Sequence, residues 1–277
     1  VFICFHPWFY CFGFEMRDQE QTALVTGASV GIGRDLAIVL AEAGCDLVVT
    51  ARNGEQLQKL AEELRGKFGI KVEVIVQDLA KPQAADEIFR EVEKREITID
   101  LLINNAGFGG YGRFDVQAVE QSLDMLQVNV VALTHLTRLF LPGMVERKRG
   151  RVMNVASIAA FLPGPGLAVY YASKAFVVSF SQAVAAELKR TGVTVTALCP
   201  GPTETEFQKR AGVENSPIFR GNMMSSMRVA RIGYRAMMRG KRVVVTGFKN
   251  QLMASAARFA PRGLVTAVAK KLNESRG

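Results

Sequence analysis

Residues 170–174 read YYASK, inside the stretch GLAVYYASKAFVVSFSQAVAAEL. Its apolar periodicity predicts a helix, and residues four apart on a helix share a face. Tyr170 and Lys174 are so spaced, while Tyr171 lies three before the lysine. A free phenol titrates near about 10, and an ammonium alongside favours the phenolate and lowers that value. Such a pair can pass a proton to a forming alkoxide, or take one back. The residues alone also allow two side chains that merely share a helix face, with the two tyrosines competing for the partnership.

A second chemical signal is TGASVGIG at 26–33, directly after an apolar run and opening a helical pattern. Gly27, Gly31 and Gly33 lack a Cβ, so the turn can tighten and backbone N–H groups can approach a pyrophosphate at the helix N-terminus. The spacing is G-x-x-x-G-x-G rather than the G-x-G-x-x-G usual for dinucleotide domains.

The elements that would hold these residues alternate. TALVT (22–26), DLVVT (46–50), VEVIV (72–76), DLLIN (100–104), RVMNVAS (151–157), VTVTALC (193–199) and RVVVT (242–246) read as strands, and amphipathic segments lie between them. Continuous Val/Ile/Leu runs suit strands buried on both faces. The predicted fold class is therefore α/β, a Rossmann-type doubly wound, mostly seven-stranded parallel sheet with helices on both faces. Residues 21–248 form one catalytic-size domain with no linker or internal repeat. Residues 200–240 break the rhythm and are expected to form a substrate lid, whose Met223, Met224 and Met227 would suit an adaptable apolar pocket.

The two ends differ from this domain. VFICFHPWFYCFGF opens the chain with no Lys or Arg, is too short to span a bilayer, and is broken by Pro7 and Gly13. Residues 1–20 are thus expected to be an extension or mis-called start, with Met16 the working initiator and a hydrophobic anchor the alternative. Residues 249–277 form a basic amphipathic tail interrupted at Pro261. Packing on the domain or on an oligomer partner is one reading, and contact with an anionic membrane surface is the other.

Composition narrows the chemistry. The chain has 277 residues, a net charge of +9 and a mean hydropathy of +0.13. That charge suits a phosphate-bearing cofactor or an acidic carrier partner, and no nucleic-acid motif accompanies it. Cys4, Cys11, Cys45 and Cys199 are scattered without a CxxC pair, which fits a reducing, cytoplasmic compartment and no metal site. With only His6 and His135 present, a Ser-His-Asp triad or a His-rich metal centre is disfavoured.

TGASVGIG, NNAG (104–107), Asn129, Ser157, Tyr170 with Lys174, and PGPT (200–203) resemble, in order and spacing, the short-chain dehydrogenase/reductase family. The resemblance covers about residues 21–247. A narrower likeness, to a bacterial ketoacyl-reductase-like subgroup, rests on FLPGPGLAVYYASKAFVVSFSQAVAAEL and RGKRVVVTG.

The family carries a serine thirteen residues before its active tyrosine, and Ser157 stands thirteen before Tyr170. This resemblance implies Tyr170 as the acid, Lys174 as its partner, Ser157 as hydrogen-bond donor to the substrate carbonyl, and Asn129 as the helix-kinking residue that holds a water near the lysine. It leaves Tyr171 to packing. The implied cofactor contacts are Gly27, Ser29, Gly31, Ile32 and Gly33 in the first turn, and Asp78 and Leu79 near adenine. Asn105, Ala106 and Gly107 would follow the ribose–nicotinamide path, with Tyr170 and Lys174 beside it and Pro200, Gly201 and Thr203 at the carboxamide.

Where family members that choose NAD carry an acidic residue, this chain has Ala51, followed by Arg52 and Asn53. A neutral slot with an arginine accommodates a 2′-phosphate, so NADP(H) is the implied cofactor. Val30 replaces a basic residue common in NADP enzymes. Gly109, Gly110 and Gly112 would make a flexible loop at the substrate mouth.

The implied activity is NADPH-dependent reduction of a 3-oxoacyl thioester or another lipid-like ketone, with acyl-CoA or acyl carrier protein as carrier and a homo-oligomer as the assembly. Alternatives keep the chemistry on a steroid, retinoid, sugar or small aldehyde, or keep only the fold in a non-catalytic NADP-binding sensor or scaffold.

Overall fold

The computed structural model describes residues 21–213, 216 and 223–273. The expected extension at 1–20, including Met16, and positions 214, 215 and 217–222 of the expected lid lie outside the described residues.

Strands β1 (Thr22–Thr26), β2 (Asp46–Ala51), β3 (Val72–Val76), β4 (Leu101–Asn104), β5 (Gly150–Val155) and β6 (Val193–Cys199) fall where the apolar runs predict them. Two short strands follow, β7 (Thr203–Glu204) and β8 (Met224–Ser225), and then β9 (Val243–Val245). The main sheet has seven parallel strands in the order β3-β2-β1-β4-β5-β6-β9. Every crossover carries a helix, among them α1 (Gly31–Glu42), α2 (Gly54–Phe68), α3 (Ala84–Lys94), α6 (Ala168–Glu187) and α8 (Ser226–Met238).

Alternation within each strand shows why both faces need covering. Ala23, Val25, Leu47, Val49, Leu101 and Ile103 belong to one core with α1, α2 and α8. Their neighbours Leu24, Val48 and Leu102 belong to the opposite core, with Ile88 of α3 and Leu136. Successive residues point to opposite faces, so an apolar run buried throughout demands helices above and below.

The chain reverses its winding direction between β1 and β4, which opens a crevice at the strands' carboxyl ends. A long helical run lies beside that crevice: α4 (Val119–Leu126), a π-helical stretch (Gln127–Ala132) and α5 (Leu133–Glu146). Among the described residues, the run 119–146 alone has the length and apolarity to cross a membrane. Its Val128, Leu136, Phe140 and Met144 are committed to the sheet core.

The expected lid divides. Residues 226–238 are α8, whose Val229, Ala230 and Met237 are buried against the sheet, so this half is body and not lid. Among the described residues of the other half, Thr203 of β7, Phe207 of the short α7 (Phe207–Ala211) and Val213 line the crevice, while β8 pairs with β7. Met224 and Met227 pack against the main core and Met223 accepts a hydrogen bond from Gln208, so none of the three walls the cleft as expected. Apolar side chains in a crossover helix face the sheet by default.

The tail forms α9 (Phe248–Ala256) and α10 (Arg262–Asn273), separated at Pro261. His135 pairs through Nε2 with Asp86 Oδ1 of α3 at 3.2 Å, a surface contact between helices.

Candidate active site

One cleft of about 1010 Å³ runs along the strands' carboxyl ends. Of the catalytic and cofactor-contact residues that the resemblance implies, all but Asn129 line it, from Gly27 at one end to Thr203 at the other.

The glycine turn is built to be close-packed. Gly27 has φ +65, a conformation that favours glycine, and a Cβ there would sit 2.9 Å from Ala106 Cα. At Gly33 a Cβ would lie 2.2 Å from Gly27 O and 2.3 Å from Asn105 Nδ2. Asn105 holds this turn by donating from Nδ2 to Thr26 O at 2.9 Å and Gly27 O at 3.2 Å. The Thr26 hydroxyl accepts from the N–H groups of Asn105 and Ala106, each at 3.0 Å. The strand-end Thr26 and the NNAG turn therefore position α1, whose first N–H groups lack intrahelical acceptors and face the cleft. No acidic side chain stands in its first turn. In shape and in charge this turn could hold a phosphate.

Arg52 is exposed at the β2 end of the cleft and has no ion-pair partner among the described residues. Asn53 beside it caps α2, its Oδ1 accepting from Gln56 N–H at 3.0 Å. Asp78 Oδ1 accepts from Ala80 N–H at 3.1 Å, which fixes the turn after β3. Thr203 Oγ1 donates to Gly201 O at 2.8 Å, and Ile158 N–H donates to Pro200 O at 2.8 Å.

The proton-handling residues meet at the centre. Ser157 follows β5, and its Oγ accepts from Ala159 N–H at 3.1 Å, capping a short 3-10 turn (Ile158–Phe161). Its hydroxyl neighbours the Tyr170 phenol, and the Tyr170 ring sits with its centroid 5.9 Å from Lys174 Nζ. Burial pushes the Tyr170 phenol up to about 12, opposed by the Ser157 hydrogen bond. The expected lowering by the neighbouring ammonium is not found: desolvation of the phenolate sets the direction. Burial also lowers Lys174 to about 8, and Cys199, whose own thiol burial raises to about 12, lies close enough to oppose that.

Asn129 lies behind the cleft, fully buried in the π-helical stretch. Its Oδ1 accepts from Phe108 N–H at 3.1 Å, and its Nδ2 donates to Phe108 O and Ser173 Oγ, each at 3.0 Å. Ser173 Oγ donates to Tyr170 O at 2.7 Å. Asn129 thus ties the NNAG turn to the helix of Tyr170 and Lys174, and a π-bulge at such a point is a common device of functional sites.

Ser173 was not among the residues singled out in the sequence. Its place between Tyr170 and Lys174 in YYASK was visible, but a mid-helix serine carries no signal of its own. The loop of Gly109, Gly110 and Gly112 is anchored rather than free. Tyr111 N–H donates to Ala211 O at 2.9 Å, and Gly112 N–H to Gly166 O at 2.8 Å.

The sequence of this chain matches the short chain dehydrogenase family over residues 21–216. The chain belongs to that family. An uncharacterized oxidoreductase of Myxococcus xanthus is 33% identical over 252 residues, which cover 91% of this chain and 97% of the relative. A 3-oxoacyl-(acyl-carrier-protein) reductase of Aquifex aeolicus is 32% identical over 193 residues, 70% of this chain and 78% of the relative. Among solved structures, a short-chain dehydrogenase from Sphingobium yanoikuyae in complex with NADPH superposes with a TM-score of 0.79 at 33% identity, covering 88% of this chain and 94% of that one. That structural similarity covers 88% of this chain, more than residues 21–216 that the family match spans.

Proposed function

We propose that the chain is an NADPH-dependent reductase of a lipid-like ketone, with a 3-oxoacyl thioester, carried by coenzyme A or by acyl carrier protein, as the favoured substrate. The observation that carries this reading is the convergence of Ser157, Tyr170 and Lys174 in one cleft whose other end is a glycine-lined phosphate cradle.

The residues present fit the dinucleotide. A Cβ at Gly27 or Gly33 would fill the cradle, and Arg52 at the β2 end, without an ion-pair partner among the described residues, matches a 2′-phosphate. Structures in this family hold NADPH or NADP, as in the Sphingobium dehydrogenase. When bound, the cofactor supplies the hydride that goes to the carbonyl carbon.

The chain's own residues handle the oxygen. Ser157, already accepting from Ala159, has its hydroxyl hydrogen to donate to the carbonyl oxygen. Tyr170 stays protonated in its buried setting and gives that proton to the developing alkoxide. Lys174 then offers its charge to the tyrosinate left behind. Asn129 and Ser173 hold the helix so that these groups stay in register.

The substrate side supports a greasy ligand. Phe108, Ile158, Leu167, Phe207 and Val213 wall the cleft beyond Tyr170. The ketoacyl reductase likeness of the Aquifex relative points the same way. A screen of NADPH oxidation against acetoacetyl-CoA, longer 3-oxoacyl thioesters, steroids, sugars and aldehydes tests the reading. Turnover of the thioesters that falls at least about a hundredfold in Tyr170→Phe is expected. NADPH binding without turnover on any class would assign a sensor instead, and full activity of Tyr170→Phe would end the assignment of the acid.

We also place self-association and a peripheral anionic membrane contact on separate faces of the protein. Leu123, Leu126, Val131 and Phe176 are exposed along α4 to α6, a face that would be covered in a homo-oligomer. Phe248, Leu252, Phe259, Leu264 and Val268 are exposed on the tail, where residues 248–273 hold five Lys or Arg and no Asp or Glu. Sedimentation of Phe176→Glu and flotation of Phe259→Glu with anionic vesicles separate the two. A sedimentation coefficient unchanged by the first, or flotation unchanged by the second, removes the corresponding contact.

A further inference from the structure

We propose that α10 is the far wall of the substrate compartment, and that Asn273 at its end is a positioning residue that limits how long a substrate chain the compartment accepts. This deepens the reductase reading and rests on it for the identity of the chain.

The tail helix is not an appendage. Val265, Ala269 and Asn273, spaced by four, are its buried residues, with Asn273 only 1% exposed. Residues at that spacing form one stripe, so a single face of α10 is committed to the domain while Leu264 and Val268 face outward. Asn273 reaches the cleft itself. A buried amide is costly unless bonded, and an aliphatic residue would fill an apolar wall at no such cost.

Here the amide is bonded to the substrate side. Its Oδ1 accepts from Tyr171 Oη at 2.8 Å, and its Nδ2 donates to Pro165 O at 3.1 Å. The adjoining Leu272 carbonyl, one of the helix-end carbonyls without an intrahelical partner, accepts from Ser216 Oγ at 2.6 Å. Three bonds therefore fasten the end of α10 to the loop before α6, to α6 and to the segment after α7.

Tyr171 is the link to the chemistry. It follows Tyr170 directly, and the two rings meet edge to face at 6.1 Å between centroids. Its ring occupies the space of a missing side chain at Gly164, where a Cβ would lie 2.3 Å from the ring. Tyr171 packs with Leu167, Ala211 and Val213, of which Leu167 and Val213 also line the cleft. The residue that loses the competition for Lys174 thus carries the latch that bounds the pocket beside the proton donor.

The test uses the full chain with Asn273→Ala and, as a variant that keeps the ring packing, Tyr171→Phe. Turnover of acetoacetyl-CoA and of 3-oxododecanoyl-CoA is compared, with NADPH affinity from nicotinamide fluorescence and amide exchange across 262–273. Loosening the wall should raise the long-to-short ratio of kcat/KM about tenfold, the scale of one misfitted methylene or more. Exchange across 262–273 should quicken, with NADPH affinity within about twofold of wild type. Faster exchange with an unchanged ratio, or unchanged exchange in both variants, overturns the proposal. Should the wild type reduce neither thioester, the reductase reading falls by itself. The wall is then decided by exchange and by calorimetric binding of butyryl-CoA against dodecanoyl-CoA, neither of which needs turnover.

Discussion

Lys174 Nζ donates to the carbonyl oxygen of Val155 at 2.8 Å, so the ammonium beside the candidate acid is anchored to the end of β5. That bond is short and buried, and it holds the charge in place without neutralising it. Gly107 borders the same spot, since a Cβ there would come 3.2 Å from Lys174 Nζ and 2.9 Å from Asn129 Oδ1. Lysine, glycine and asparagine thus share one small volume behind the cleft.

The buried ammonium makes stability pH-dependent without cofactor. Lys174 titrates at about 8 in the folded protein against 10.5 when unperturbed, so between those values the unfolded chain binds a proton that the folded chain does not. Its contribution to stability is therefore present above 10.5 and lost as pH falls through 8. Tyr170, raised from 10.0 to about 12, acts oppositely above pH 10. Denaturant titrations at pH 7 and pH 9.5 should show the wild type gaining on Lys174→Met by on the order of 1–2 kcal/mol. No relative gain would show that the amine is not desolvated.

The cofactor preference depends on Arg52. A charge-assisted hydrogen bond to a phosphate contributes about 1.5–3 kcal/mol. Arg52→Ala should raise KM for NADPH about tenfold to a hundredfold while leaving KM for NADH nearly constant. Equal changes for the two cofactors would mean that the arginine does not touch the 2′-phosphate.

Much of this arrangement is legible in the sequence because it rests on local patterns. All seven strands of the main sheet coincide with the predicted apolar runs, β2 and β5 overrunning them by one residue, since strands buried on both faces carry an unbroken signal. The glycine turn and the Ser157, Tyr170 and Lys174 spacing likewise survive as one cleft. What the sequence hides is which face of a helix meets what. The methionines of 223–227 look like pocket lining because nothing local reveals that α8 is the last sheet-covering helix. Tyr171 looks like filler because its partner Asn273 is 102 residues away, a separation that no periodicity registers. The phenol's shift is upward for a related reason, as desolvation depends on the whole surrounding fold rather than on the i,i+4 neighbour.

Gly33 offers a test of the cradle separate from catalysis. In Gly33→Ala the new methyl would meet backbone Gly27 O and the Asn105 amide that braces the turn. A backbone atom cannot rotate away, so the turn must open. The expected cost is about 1–3 kcal/mol of stability. NADPH affinity should fall at least about tenfold, because the N–H groups at the start of α1 move with the turn. Nicotinamide fluorescence titration reads the affinity, and wild-type binding in a variant that is measurably destabilised would separate the cradle from the cofactor.

A buried polar chain under the site makes the last prediction. Asn104 Nδ2 donates to Thr137 Oγ1 at 3.0 Å and to Asn154 Oδ1 at 2.9 Å, while Asn154 Nδ2 donates to Ser181 Oγ at 2.9 Å. The hydroxyls continue to helix carbonyls, Thr137 to Leu133 O and Ser181 to Val177 O. The chain of bonds crosses β4 and β5 and joins α5 to α6, the helix that carries Tyr170 and Lys174. Asn154 is fully buried, so Asn154→Ala leaves a buried donor on Asn104 with one partner fewer. The stability loss should be about 1–3 kcal/mol. For a chain of this size that lowers Tm by about 2–4 °C per kcal/mol. Because α6 loses one of its ties to β5, kcat should fall in step with a loosened Tyr170 while KM for NADPH changes little. A variant with normal Tm and normal kcat would show that this network neither supports the fold nor positions the acid.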